Sequence, residues 1–165
     1  MFAEAGKVGG LQIQLIFFRG TECQASNWTT NTQVLAAKMR KISCVGGTTQ
    51  WGRVLGRVRR EHEQKSVSAV IVIGDCCEEQ SSALYDAAAG LPQLLVFQEG
   101  DDPAASVVFP ELARRTNGAH FKLGPNSARE LSEFLRGVAA YAAGGLKALE
   151  GQRSKSAHKL LAQLK

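Results

Sequence analysis

The chain has 165 residues, of which 44% are hydrophobic, and a net charge of +5. That is enough for one domain with a real core, and it argues against disorder for the bulk of the chain. No apolar run reaches the ~20 residues that cross a bilayer, and Met1–Lys7 lacks the basic and apolar regions of a secretory signal, so a cytoplasmic location is expected.

In chain order, Leu11–Phe18 alternates and then turns fully apolar, which predicts a strand buried more deeply at its end. Arg19-Gly20 closes it, and a short irregular or strand segment follows through Trp28. Thr30–Ile42 carries Val34, Leu35, Met39 and Ile42 at helical spacing, with Thr30 or Asn31 as cap. Gln50–Lys65 reads as a helix with Val54, Leu55 and Val58 on its apolar side and Arg53, Arg57 and Arg60 on another. Val67–Ile73 is a β-branched run without a polar break, the pattern of a strand covered on both faces.

A second helix is predicted over Cys77–Ala89, with Glu78 and Glu79 in its first turn, where the helix dipole favours acids. Gln93–Gln98 is another buried strand. Glu99–Pro103 is a polar loop into a helix near Ala104–Thr116, Asn117-Gly118 stops that helix, and Ala119–Phe121 is a short last strand. Asn126 or Ser127 caps a long helix from Ala128 to about Ala143. Gly144-Gly145 interrupts it, and a further helix follows. From Lys147 onward there are five basic residues (Lys147, Arg153, Lys155, Lys159, Lys165) and one acid, Glu150, so this tail carries +4 of the net +5. Such a tail suits nucleic acid or an acidic partner, or is a solvated helix end.

Strands separated by helices of about 10–15 residues predict βαβ units and a parallel sheet. Open sheets of this kind bind ligands at the carboxyl ends of their strands. Two segments meet that description: the Gly46-Gly47-Thr48-Thr49 turn opening a helix, and Asp75 just beyond a strand.

Gly46-Gly47-Thr48-Thr49-Gln50 followed by Trp51-Gly52-Arg53-Val54-Leu55 resembles the metal-site threonine loop of von Willebrand factor type A domains, with Gly52 three residues after Thr49. Val70–Asp75 is similar to the strand that delivers that family's second aspartate, with Cys76 where glycine is usual. Thr116–Phe121 is similar to its entry to the last strand. The wider run Leu11–Leu149, including Phe17-Phe18-Arg19-Gly20 and Phe97-Gln98-Glu99-Gly100, resembles uncharacterised bacterial proteins of this type. The resemblance implies a three-layer α/β/α sandwich with a mostly parallel, Rossmann-like sheet. A domain over residues 1–146 and a basic helical tail over 147–165 are expected.

In that family an Asp-x-Ser-x-Ser motif, a threonine and a further aspartate build a Mg²⁺ site, and Mg²⁺ takes about six oxygens. The four aspartates here are Asp75, Asp86, Asp101 and Asp102, and none begins such a motif. The family's first strand would precede Met1, with Met1–Lys7 matching the end of the first helix. What the resemblance leaves is Thr49 as a direct metal ligand and Asp75 as a ligand through water. The expectation is Mg²⁺ bound weakly or not at all. In the family the absent strand lies between those matching Leu11–Phe18 and Val67–Ile73. These two are therefore expected to pair directly or to leave unpaired edges, so that the fold closes up, two copies join edge to edge or by swapping, or the chain is one piece of a longer product.

Plainer roles stand beside these. Thr49 is equally a helix N-cap, and Asp75 equally a cap for the helix near Cys77. Thr48, Cys76, Glu99, Asp101 and Asp102 are candidates for a partner-binding rim, and the last three also fit a solvated acidic loop. Cys76-Cys77 at a helix start is either structural or a reactive pair with lowered thiol pKa. His62 and His158 read as solvated, and His120 as a satisfied strand histidine. Ser26 and Ser43 have no partner that marks a nucleophile. No P-loop and no GxGxxG follows a strand, and the cysteines lack zinc spacing.

The leading expectation is a non-enzymatic protein-binding or assembly module that engages another protein through the carboxyl-end rim of its sheet. A small α/β enzyme using Asp75 and Cys76 is the second reading. A nucleic-acid binder using Arg53, Arg57, Arg60 and the tail is the third. No membrane partner is expected.

Overall fold

A computed structural model describes residues 10–124 and 127–164. The expected helix end at Met1–Lys7, the expected cap at Asn126, the side chain of Ser127, and Lys165 lie outside the described residues. The protein is of mixed α/β class, with six helices, a two-stranded antiparallel sheet and a three-stranded parallel sheet among the described residues. None of these helices is long and apolar enough to cross a membrane. The chain forms two compact units. One comprises the chain up to Gly47 together with Ala128–Ala162, and the other Thr48–Ser127 and the residues from Gln163 onward.

In the first unit, strands β1 (Ile16–Arg19) and β2 (Glu22–Ala25) form an antiparallel hairpin with Arg19 opposite Glu22. Its two-residue loop begins at Gly20, whose φ of +52° meets the need of a type II′ turn for a positive φ at that position. Beyond the regular pairs the two arms stay joined by the Ile13–Thr29 bridge and by Ser26, whose hydroxyl accepts from the Leu15 N–H at 3.0 Å. The expected strand over Leu11–Phe18 is thus one arm of a hairpin, regular only from Ile16. It is half-buried rather than deep in a central sheet, because the Arg19–Glu22 turn folds its own partner back onto it. Helix α1 (Thr32–Arg40) starts at Asn31, whose side chain accepts from the Gln33 and Val34 amides.

Helix α5 (Ser127–Glu150) is bent at Gly144 and Gly145, where Gly145 takes a φ of +65°. Helix α6 (Lys155–Leu164) then returns along it. Leu160 lies so close to Gly137 that a Cβ there would stand 2.7 Å from the leucine Cδ1. Ala157 and Leu160 are fully buried, the Ser156 hydroxyl donates to Glu133, and Lys159 pairs with Glu130 at 3.1 Å. The basic tail is therefore not a solvated helix end. Its apolar stripe is core, and one of its cations is already neutralised.

The second unit holds α2 (Trp51–Gln64), β3 (Val70–Gly74), α3 (Ser81–Ala88), β4 (Leu94–Gln98), α4 (Pro103–Arg115) and β5 (Ala119–Lys122). The strands are parallel in the order β3-β4-β5, with Val70 opposite Leu94 and Leu95 opposite Ala119. Parallel strands demand crossovers, which α3 and α4 supply. The sheet face bearing Val72, Gly74 and Gln98 packs on α2 and α4. A Cβ at Gly74 would collide with the Trp51 ring, which meets Phe109 edge to face at 5.4 Å, and the Gln98 amide donates to Ser106. Every residue of β4 is buried.

The Thr116-Asn117-Gly118 stop works by three separate means. Thr116 accepts from the Leu94 N–H, Asn117 takes a φ of +51°, and Gly118 lies against the Leu94 backbone with no room for a side chain. Strands β1 and β3, expected as neighbours of one missing strand, do not pair with each other. β1 pairs with β2, and β3 pairs with β4 alone among the described residues. Among the described residues the strand order runs sequentially without reversal, so these three strands form no topological switch point between them.

Candidate functional site

The rim at the carboxyl end of β3 is assembled by two loops, the Thr48–Gln50 turn ahead of α2 and the Asp75–Gln80 segment ahead of α3. Helix α2 begins at Trp51 with Gln50 at its N-cap position, and neither Gln50 nor Thr49 caps it through a side chain. The helix start is held instead from across the rim, where the Glu79 carboxylate accepts from the Trp51 and Gly52 amides. A carboxylate at a helix N-terminus meets both the unpaired N–H groups and the positive end of the dipole.

Thr49, 7% exposed, makes a reciprocal pair with Glu78. Its amide donates to the Glu78 carboxylate at 2.9 Å, and its hydroxyl accepts from the Glu78 amide at 3.0 Å. The Trp51 indole N–H donates to the Cys76 carbonyl at 3.0 Å and closes the same seam.

This geometry corrects three expectations. The second helix does not start at Cys77: Glu78 is bonded to Thr49 and Glu79 to the start of α2, and the helix begins only at Ser81. Asp75 is therefore not a helix cap; it is exposed, beside Cys76. Nor does Thr49 cap α2, since its hydroxyl is spent on the Glu78 amide. Thr49 does reach the loop that follows β3, but its partner there is Glu78.

The other rim candidates divide between bonded and exposed. Asp102 is the N-cap of α4, accepting from Ala105 at 2.7 Å, and the same oxygen accepts from Cys77 at 3.3 Å. Asp101 forms an ion pair with Lys122. Thr48 and Glu99 are exposed.

Partial burial, and after it the charge and hydrogen bond of Asp75, push the Cys76 thiol up to about 11, with Glu78 and Asp102 adding in the same direction. Burial likewise raises Cys77. The alternative of thiols activated by a helix start is thereby corrected. No helix begins there, and the surrounding carboxylates oppose a thiolate. The Thr49 hydroxyl is already an acceptor within the protein, and among the described residues no group of three or more His, Cys, Asp or Glu side chains could hold a metal ion.

The histidines and arginines also have structural work. His62 is not merely solvated: its Nδ1 accepts from the Val67 N–H at 3.0 Å and helps turn the chain from α2 toward β3. His120 Nε2 lies 3.0 Å from the Gln98 Oε1, and burial, with a smaller contribution from Lys122, lowers its pKa. In the basic stripe, Arg57 pairs with Glu61, Arg53 donates to Gln50, and the neighbouring Arg59 donates to the Ala87 and Ala89 carbonyls at the end of α3.

Glu78 and Glu79 are the residues that sequence reasoning placed wrongly. The available signal was the pair of adjacent acids facing a Gly-Gly-Thr turn whose helix lacks a capping side chain of its own. No protein-family model and no curated protein matches this chain.

Proposed function

We propose that this chain is a non-enzymatic assembly module of von Willebrand factor A type that engages another protein through the carboxyl-end rim of its parallel sheet and binds divalent metal weakly or not at all. The observation that carries the reading is the reciprocal Thr49–Glu78 pair together with the Glu79 clamp on α2. With Thr49, Glu78 and Glu79 committed to holding two loops together, the rim has fewer oxygens left for a cation. Its exposed acids, Asp75 and Glu99, fit a partner that presents lysine or arginine. Partial burial and the carboxylates around Cys76 disfavour its thiolate, which weighs against the enzyme reading that uses it.

Thermal melting across a millimolar Mg²⁺ titration tests the metal clause. The expected change in Tm is below about 1 °C, and a rise of several degrees contradicts it. For the partner clause, a double variant Asp75→Ala, Glu99→Ala should melt like the wild type and bind a basic partner more weakly. Unaltered binding would place the partner surface elsewhere.

A further inference from the structure

The outer edge of β3 pairs with no strand among the described residues. Hydrogen bonds fix which of its backbone groups face β4. The Val70 N–H donates to the Gln93 carbonyl and the Gly74 carbonyl accepts from Glu99, both at 2.9 Å. In a parallel ladder the groups alternate, so Val70, Val72 and Gly74 face β4 while the N–H and C=O of Ile71 and Ile73 point away from it. No strand lies on that side among the described residues.

The side chains tell the same story. Ile71 and Ile73 are 38% and 42% exposed, whereas their register partners Leu95 and Phe97 on the same face are at 0%. Natural edges are guarded by charge, proline or bulges. From Val67 through Gly74 this chain has no charged residue and no proline.

We propose that β3 pairs antiparallel with β3 of a second copy of this chain, about a two-fold axis at Val72, joining two three-stranded sheets into one of six strands. The register sets Ile71 opposite Ile73 of the other copy. Both are outward-facing residues, so each opposed couple exchanges two backbone hydrogen bonds, and the two couples satisfy all four N–H groups and all four carbonyls. Opposed residues share a face, which gathers four isoleucines into one apolar cluster. The acid at the strand end, Asp75, falls opposite Ala69, so no like charges meet. One sequence thus supplies both halves of the match, as an isologous interface requires. This surface is separate from the acidic rim.

The test is sedimentation velocity on the full chain from about 1 to about 200 µM, the range in which a small interface of micromolar Kd shows itself. The wild type should move from monomer to dimer. Ile71→Lys and Ile73→Lys should weaken dimerisation at least tenfold with unchanged circular dichroism, since both side chains are exposed. Val107→Lys on α4, where the valine is 67% exposed, should dimerise like the wild type. If a lysine variant fails to fold, Ile73→Thr keeps β-branching and should still weaken the dimer. A wild type that stays monomeric overturns the proposal, even if it binds an extended peptide of another sequence. So does a dimer that persists in the Ile71 and Ile73 variants.

Discussion

The two edges of one parallel sheet are treated in opposite ways. On β5, His120 turns its N–H and C=O outward, and the side-chain amide of Gln163 meets both, accepting at 2.9 Å and donating at 3.0 Å as a neighbouring strand would. On β3, the matching outward groups at Ile71 and Ile73 meet no strand among the described residues, and the side chains beside them are exposed. The contrast makes the open side the place to look for association, because exposed backbone pairs and apolar side chains coincide there.

The comparison breaks most severely where the strands meet their supports. Gly118→Ala drives a methyl into the Leu94 backbone and should detach β5 from β4, costing about 3 kcal/mol or more in denaturant titration. Next comes Glu79→Ala, which strips the carboxylate from the Trp51 and Gly52 amides. About 1–2 kcal/mol of stability should be lost, while self-association at β3 persists, separating rim from edge. Gln163→Ala converts the closed edge into an open one at His120. Its expected cost is about 1 kcal/mol.

The smallest effect is one of pH. Burial lowers the His120 pKa below its ordinary 6.5, so the folded state disfavours the proton. As pH falls below 6.5 the unfolded chain takes up the proton first, and stability declines until the folded protein is protonated as well. His120→Gln should flatten that decline in melts between about pH 7.5 and about pH 5.

Much of the second unit could be read from the sequence. The uninterrupted apolar run at Leu94–Phe97 marked a fully buried strand, and Asn117-Gly118 marked the end of α4, because both signals are local. The hairpin at Gly20 escaped notice because the apolar finish of Leu11–Phe18 imitates a central strand, and only pairing with Glu22–Ala25 reveals an arm. The rim was legible in its parts and not in its wiring. Thr49 and the acids after β3 were singled out, yet the bonds from Glu78 and Glu79 back to residues 49–52 span nearly thirty positions, and no local pattern encodes them. The tail misled for a simpler reason. Its charges stand out in composition, while Ala157, Leu160 and Leu161, which bury it, do so only at helical spacing.

Residue-resolved amide hydrogen exchange along Val70–Gly74, at low and high protein concentration, probes the open edge most directly. The amides of Val72 and Gly74, which face β4, should be protected at every concentration, and those of Ile71 and Ile73 should gain protection only as concentration rises. Slow exchange of Ile71 and Ile73 in dilute solution, or fast exchange in concentrated solution, would contradict an edge held open for a second copy.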